Sequence, residues 1–283
     1  MTSPPPALRA DWLGASRRAA QALREVLEAR PTIKERAEET GTLGEGGDRT
    51  LLIDSAAEDL VFAQLDALHS EGHRFVAMSE ERGEVDYGDP EVRVVIDPID
   101  GSLNAKRGIP GHSMSIAVAD GVTMADIDFG FVYDFGANEE WTARRGKGAR
   151  LDGRLLPPDA GERRWEDGRL EVVGIESADP RRLAATIGAL GPLTHRLRSV
   201  GSIAITLCSV SAARFDGMVT LSPTRAVDAA AGQLIVREGG GLVAFPAFDP
   251  PLSAPLDAAP HSPVAAARTE SSLEELAELA MAE

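Results

Sequence analysis

One cysteine, Cys208, is all the thiol chemistry the chain has. No intrachain disulfide can form, so a reducing intracellular compartment is expected. The place of Cys208 in the apolar run from Ile203 to Val210 makes it a core residue rather than a nucleophile. Histidine is sparse too: the five are scattered, and none falls in a His/Cys grouping suited to zinc. Basic charge is in deficit, with 29 Lys and Arg against 45 Asp and Glu and a formal net charge of -16. That balance excludes a general nucleic-acid binder, which needs a basic face to displace counterions. It leaves room for phosphate chemistry, because divalent cations can invert the field of an acidic cleft. No stretch reaches membrane-spanning length without polar interruption, and Met1 to Ala10 carries three consecutive prolines and no apolar signal core. The expectation is a soluble, cytoplasmic chain with neither a membrane nor a nucleic acid as partner.

What is present suits a large core: 283 residues, 43% of them hydrophobic and 26% charged. Helical spacing from Leu8 to Arg30 predicts a first amphipathic helix ended by Pro31. Thr40 to Arg49 holds four glycines and reads as a loop. A second helix is expected from Asp54 or Ser55 to Gly72. Short β-rich runs follow at Arg74–Met78, Val92–Ile96, Ser113–Ala119, Ile127–Tyr133 and Glu140–Ala143, which suit a largely antiparallel sheet. After Arg150 the pattern alternates, with strands at Leu170–Gly174, Arg196–Val200, Asp216–Leu221 and Leu242–Phe245 and helices from Pro180, Ser202 and Val227. Pro246 to Pro263 is expected to wrap the surface, and Ser271 with Glu274 to cap a last helix. The reading is an α+β half over residues 1–150 and an α/β half over 151–283, sharing one site.

The chemistry concentrates at strand ends. Val92–Ile96 runs directly into Asp97-Pro98-Ile99-Asp100-Gly101-Ser102, and Arg74–Met78 runs into Ser79-Glu80-Glu81-Arg82-Gly83. Taken alone, Asp-Pro-x-Asp-Gly reads as a turn. Two acidic clusters at the ends of strands that could be neighbours read differently, since carboxylates beside a core are costly unless a cation neutralises them. Carboxylates, a backbone carbonyl and water form the oxygen shell that Mg²⁺ prefers. Gly101 and Ser102 open a short helical turn whose free N–H groups can face a phosphate. A third piece, Arg225-Ala226-Val227-Asp228-Ala229-Ala230-Ala231-Gly232, sets Asp228 at a helix start, where by itself it is an ordinary first-turn residue.

In order and spacing the three pieces resemble the inositol monophosphatase family of lithium-sensitive, magnesium-dependent phosphatases, over nearly the whole chain. Asn104 to Pro110, Gly201-Ser202-Ile203-Ala204 with Leu207-Cys208, and Arg225 to Asp228 resemble its archaeal branch, which has dual fructose-1,6-bisphosphatase and inositol monophosphatase activity. The resemblance implies a layered α-β-α-β-α sandwich, two or three Mg²⁺ per site, and a homodimer. It implies that Glu80, Asp97 and the Ile99 carbonyl hold one metal, and that Asp97, Asp100 and Asp228 hold another. Ser102 with Asp54, the last residue of Gly47-Asp48-Arg49-Thr50-Leu51-Leu52-Ile53-Asp54, would orient and deprotonate water, and the preceding Gly-rich loop would correspond to a mobile catalytic loop. The chain departs from the family at Ser79 for Gly, Ser102 for Thr and Val227 for Trp. Asp216 to Pro223 carries neither the Glu of inositol-specific members nor the Arg that archaeal ones place before Pro, which leaves the substrate open. Arg107 and Arg225 are candidate substrate contacts. The expected activity is hydrolysis of an inositol monophosphate or fructose 1,6-bisphosphate type of ester. The alternatives are 3'-phosphoadenosine 5'-phosphate or histidinol phosphate as substrate, or a metal- and anion-binding protein without turnover.

Overall fold

A computed structural model describes residues 5–36, 39–43, 49–177 and 179–282. Two strands, β1 (Glu39–Leu43) and β2 (Arg49–Leu51), form a small antiparallel ribbon. Eight more build the first large sheet: β3 (Val76–Ser79), β4 (Gly83–Asp86), β5 (Arg93–Asp100), β6 (Ser113–Ala119), β7 (Ile127–Asp134), β8 (Glu139–Arg144), β9 (Ala149–Leu151) and β10 (Arg154–Leu155). Their spatial order is β10-β9-β8-β7-β6-β5-β3-β4, and β3 with β5 is the one parallel pair in it. The second sheet holds β11 (Leu170–Glu176), β12 (Thr194–Arg198), β13 (Gly217–Thr220), β14 (Leu242–Ala244) and β15 (Ala265–Ala267), in the order β12-β11-β13-β15-β14.

Alternation along the strands decides how the layers stack. In β6, Met114, Ile116 and Val118 point to one side, where they join Val94, Ile96, Phe129 and Phe131. That side is covered by α1 (Trp12–Glu28) and, beyond the one-turn α2 (Ile33–Arg36), by α3 (Leu52–Ser70) through Trp12, Ala15, Ala19, Val61, Phe62 and Leu65. Ala117 and Ala119 point the other way, with Val95, Val132 and Trp141, onto α6 (Ile203–Ser211) and α7 (Ala226–Glu238). From Ala226 to Val236 α7 is buried all round, as a helix between two sheets must be. Small residues let it sit close: a Cβ on Gly130 of β7 would lie 2.9 Å from the Ala231 carbonyl. Met218, Ala266 and Val243 of the second sheet close this central core, while Val173, Val219, Ala265 and Ala267 face α5 (Pro180–Leu193) and α8 (Glu270–Met281). The result is an α-β-α-β-α sandwich. No helix among the described residues is long and apolar enough to cross a membrane.

Several boundaries differ from the sequence expectation. The first helix breaks at Ala10–Asp11, after a short 3₁₀ turn at Pro6–Arg9, and Asp11 caps the longer piece by accepting from the Gly14 N–H. Helix α3 starts at Leu52, so Asp54 is a first-turn residue and not a cap. Thr269, rather than Ser271 with Glu274, caps α8 by accepting from the Ser272 N–H. Of the expected loop Thr40–Arg49, residues 40–43 and 49 belong instead to the β1–β2 ribbon, where pairing of the two strands overrides the glycine content, and residues 44–48 lie outside the described residues.

Candidate active site

The parallel pairing of β3 with β5 sets Ser79 beside Ile96, which brings the two acidic runs to one sheet end as neighbouring strand exits. Glu80, just past the end of β3, therefore lies beside Asp97 on the neighbouring strand. Strand β5 continues through the acidic motif, with an irregularity between Asp97 and Asp100 where it pairs with Ser115 and Ser113. Asp97 is 1% exposed and accepts from the Ile99 N–H at 3.0 Å. Asp100 is 7% exposed, and its Oδ2 accepts from the Ser202 hydroxyl and from the Ala204 N–H at 2.8 Å. Both donors belong to the start of α6, so the second half of the chain completes the surroundings of Asp100. Asp228 enters from the first turn of α7, a helix fastened to β6 by the Ser115 hydroxyl on the Val227 carbonyl at 3.2 Å.

Chain reversal after Asp100 depends on Gly101. Its φ is 85°, and a Cβ there would lie 2.7 Å from the carbonyl oxygens of both Gly111 and Gly201. Any side chain would clash with two backbones and strain its own. Beyond it α4 (Ser102–Arg107) begins, with Ser102 exposed at its first position and Arg107 exposed in its last turn. Asn104 ties that turn down by donating to the Gly111 and Val200 carbonyls, each at 2.8 Å.

Two supporting carboxylates, Glu58 and Glu176, escaped the sequence reading. Glu58, one turn after Asp54 on α3, accepts from the Ser79 hydroxyl at 3.0 Å and from the Glu81 N–H at 3.2 Å, and so grips the turn on both sides of Glu80. The Asp54-x-x-x-Glu58 spacing was the available signal, since residues four apart share a helix face. Ile53 and Ala57 pack with Ile99 and Ala105, which seats the first turn of α3 against the Asp97–Ser102 segment. Glu176, at the end of β11, accepts from the Val200 and Gly201 N–H groups and the Thr206 hydroxyl, fixing the backbone that presents Ser202.

Charge is unevenly balanced. Burial, and then the neighbouring Glu80, Asp100 and Asp228, push the Asp97 carboxyl well above its usual range. Burial and then Asp228 raise Asp100 to about 7 against the pull of its Ser202 and Ala204 bonds. Burial raises Glu80 as well, opposed by Arg225. Arg225 contacts two of the four carboxylates: Nη1 donates to Glu80 Oε1 at 2.6 Å and Nη2 to Asp228 Oδ1 at 2.9 Å. As the side chains lie, no three Asp, Glu, His or Cys groups among the described residues are arranged to hold one metal ion, and the Arg225 fork lies between Glu80 and Asp228. In chemistry the donor set fits a hard divalent cation: every candidate is an oxygen, and the two most buried carboxylates are strained by like charge. Structure thus brings Glu80, Asp97, Ile99, Asp100 and Asp228 to one place, with Gly101 and Ser102 beside them, Asp54 on the adjoining helix turn, and Arg107 at the outer end of α4.

Such a sandwich, with acidic groups gathered where strand ends meet helix starts, defines an α/β protein built around an anionic site. The chain belongs to the inositol monophosphatase family, whose model matches residues 9–282. It is 37% identical over 169 residues to "Nus factor SuhB" of Haemophilus influenzae, a match covering 59% of this chain and 61% of that protein. It is 31% identical over 217 residues to a fructose-1,6-bisphosphatase/inositol-1-monophosphatase of Thermococcus kodakarensis, covering 74% of each. Among solved structures, the MJ0109 gene product, an inositol monophosphatase-fructose 1,6-bisphosphatase, superimposes with a TM-score of 0.77 at 26% identity, over 95% of this chain and 99% of that one.

Proposed function

We propose that the protein is a magnesium-dependent phosphomonoesterase acting on a small soluble phosphate ester, in the cytoplasm and as a homodimer. The observation that carries this reading is Asp97, buried among Glu80, Asp100 and Asp228, an arrangement whose repulsion a divalent cation would relieve. Glu80, Asp97 and the Ile99 carbonyl would hold one ion, and Asp97, Asp100 and Asp228 another. Bound magnesium would supply a Lewis acid for the phosphoryl oxygens and a water of lowered pKa. Gly101 and Ser102 offer backbone N–H groups to the phosphate at the start of α4. Asp54 and the Ser102 hydroxyl orient the attacking water, and Asp54 takes its proton. Ser202 and Ala204 hold Asp100 in one rotamer, and Glu58 does the same for the turn bearing Glu80.

Inositol monophosphates and fructose 1,6-bisphosphate are the favoured substrates, supported by the names of the Thermococcus relative and the MJ0109 protein. Relatives named as a Nus factor favour a second reading, in which the fold serves binding rather than turnover. Phosphate release from inositol 1-phosphate, fructose 1,6-bisphosphate, 3'-phosphoadenosine 5'-phosphate and histidinol phosphate, each with Mg²⁺ and with EDTA, separates the two. Release that requires Mg²⁺ is expected from at least one of the first two. Turnover of only one of the others would reassign the substrate, and silence across all four, with Mg²⁺ still bound, would favour the binding protein.

A further inference from the structure

Arg225 was expected to meet substrate, yet its contacts point inward. The guanidinium spans two carboxylates that come from different halves of the chain, Glu80 at the exit of β3 and Asp228 at the start of α7. Nε also reaches Asp228 Oδ2 at 3.4 Å, and the Arg225 backbone N–H donates to that same oxygen at 3.0 Å. Both oxygens of Asp228 and one of Glu80 are therefore engaged. The ion that would draw on Glu80 and the ion that would draw on Asp228 each meet a carboxylate already bonded to the guanidinium, which would be a like charge beside either of them. Guanidinium and divalent ion therefore compete for the same two carboxylates.

The side chain has a way out. It is 28% exposed, and Glu80 beside it 25%, so the fork lies at the open edge of the cluster. Arg225 precedes α7 with extended backbone, and the N–H that caps Asp228 is on the main chain. Swinging the side chain into water would leave that cap and the helix unchanged.

We propose that Arg225 is a tethered counter-cation that competes with the divalent metal for Glu80 and Asp228, so that metal loading and release of this side chain are a single exchange. The proposal rests on the reading of this cluster as a metal site. It has two consequences of opposite sign: the guanidinium stabilises the metal-free protein and weakens its metal affinity. A residue that merely held Glu80 and Asp228 ready for metal would do the reverse to affinity.

Calorimetric titration of Mg²⁺ into the full chain and into Arg225→Gln, with thermal unfolding of both in EDTA, separates these cases. Arg225→Gln is expected to bind Mg²⁺ about tenfold more tightly, the size of one charge-assisted hydrogen-bonded contact, and to unfold at a lower temperature in EDTA. Arg225→Lys, which keeps the charge but loses the fork, is expected to shift affinity in the same direction by less, and it serves if the Gln variant does not fold. Equal or weaker Mg²⁺ binding by a folded variant overturns the exchange. Absence of Mg²⁺ binding by the wild-type chain would instead overturn the metal-site reading itself, and the exchange with it.

Discussion

Asp97→Asn is expected to lower kcat/KM for Mg²⁺-dependent phosphate release by about 10³-fold, the equivalent of about 4 kcal/mol, while leaving the fold intact. Asparagine matches aspartate in shape, and its side-chain oxygen can still accept from the Ile99 N–H. What disappears is one negative charge from the centre of the cluster, where both proposed metals draw on it. Removal of a buried charge usually exposes a partner to a desolvation penalty. Here the neighbours Glu80, Asp100 and Asp228 all repel Asp97, so the neutral amide removes a conflict. Steady-state kinetics at saturating Mg²⁺, with circular dichroism as a check on folding, measure both halves of the expectation. Near-native kcat/KM in a folded variant would take Asp97 out of the metal site.

Asp100→Asn is expected to stabilise the protein in EDTA at pH 7.5 by on the order of 2 kcal/mol, and to abolish the pH dependence that Asp100 contributes. The sign follows from where the proton sits. With its carboxyl raised to about 7 in the fold, native Asp100 keeps its proton up to about that pH, well after an unfolded chain has lost it, and at pH 7.5 most native molecules carry the buried charge. Its burial is therefore tolerated best at low pH, and stability declines as the pH climbs from the ordinary carboxylate range through about 7. Asparagine is neutral throughout, and its oxygen can keep the bonds from Ser202 and Ala204. Saturating Mg²⁺ should reverse the ranking, because ligand binding stabilises the native wild type and the variant lacks a ligand for it. Unfolding temperatures from pH 5 to 8, with EDTA and with Mg²⁺, check this. A variant less stable than wild type in EDTA at pH 7.5 would mean that Asp100 is held by attraction and not burdened by repulsion.

Much of this site was legible in the residues, because the cost of placing carboxylates at core strand ends is a local fact. Val92–Ile96 had to be a buried strand, and Asp97 and Asp100 had to fall at its end, although β5 runs on as far as Asp100. The neighbouring exit of Glu80 needed only that the two strands lie side by side, which the β3–β5 pairing supplies. Elements defined by their partners stayed hidden. Ala265–Ala267 is strand β15 only because β13 and β14 pair with it on either side, and a run of alanine by itself favours helix. Gly83–Asp86 is charged and short, and it becomes an edge strand through its register with β3. The supporting shell was hidden for the same reason. Arg225 meets Glu80 across 145 positions of sequence, and Ser202 meets Asp100 across 102, distances over which spacing carries no signal.

The anomalous-scattering map of crystals grown with Mn²⁺ in place of Mg²⁺ tests the central claim most directly. A metal peak is expected bonded to Asp97 and shared with Glu80, Asp100 or Asp228, with the Arg225 side chain turned away from Glu80. A peak bound elsewhere, with Arg225 still bridging Glu80 and Asp228, would contradict it.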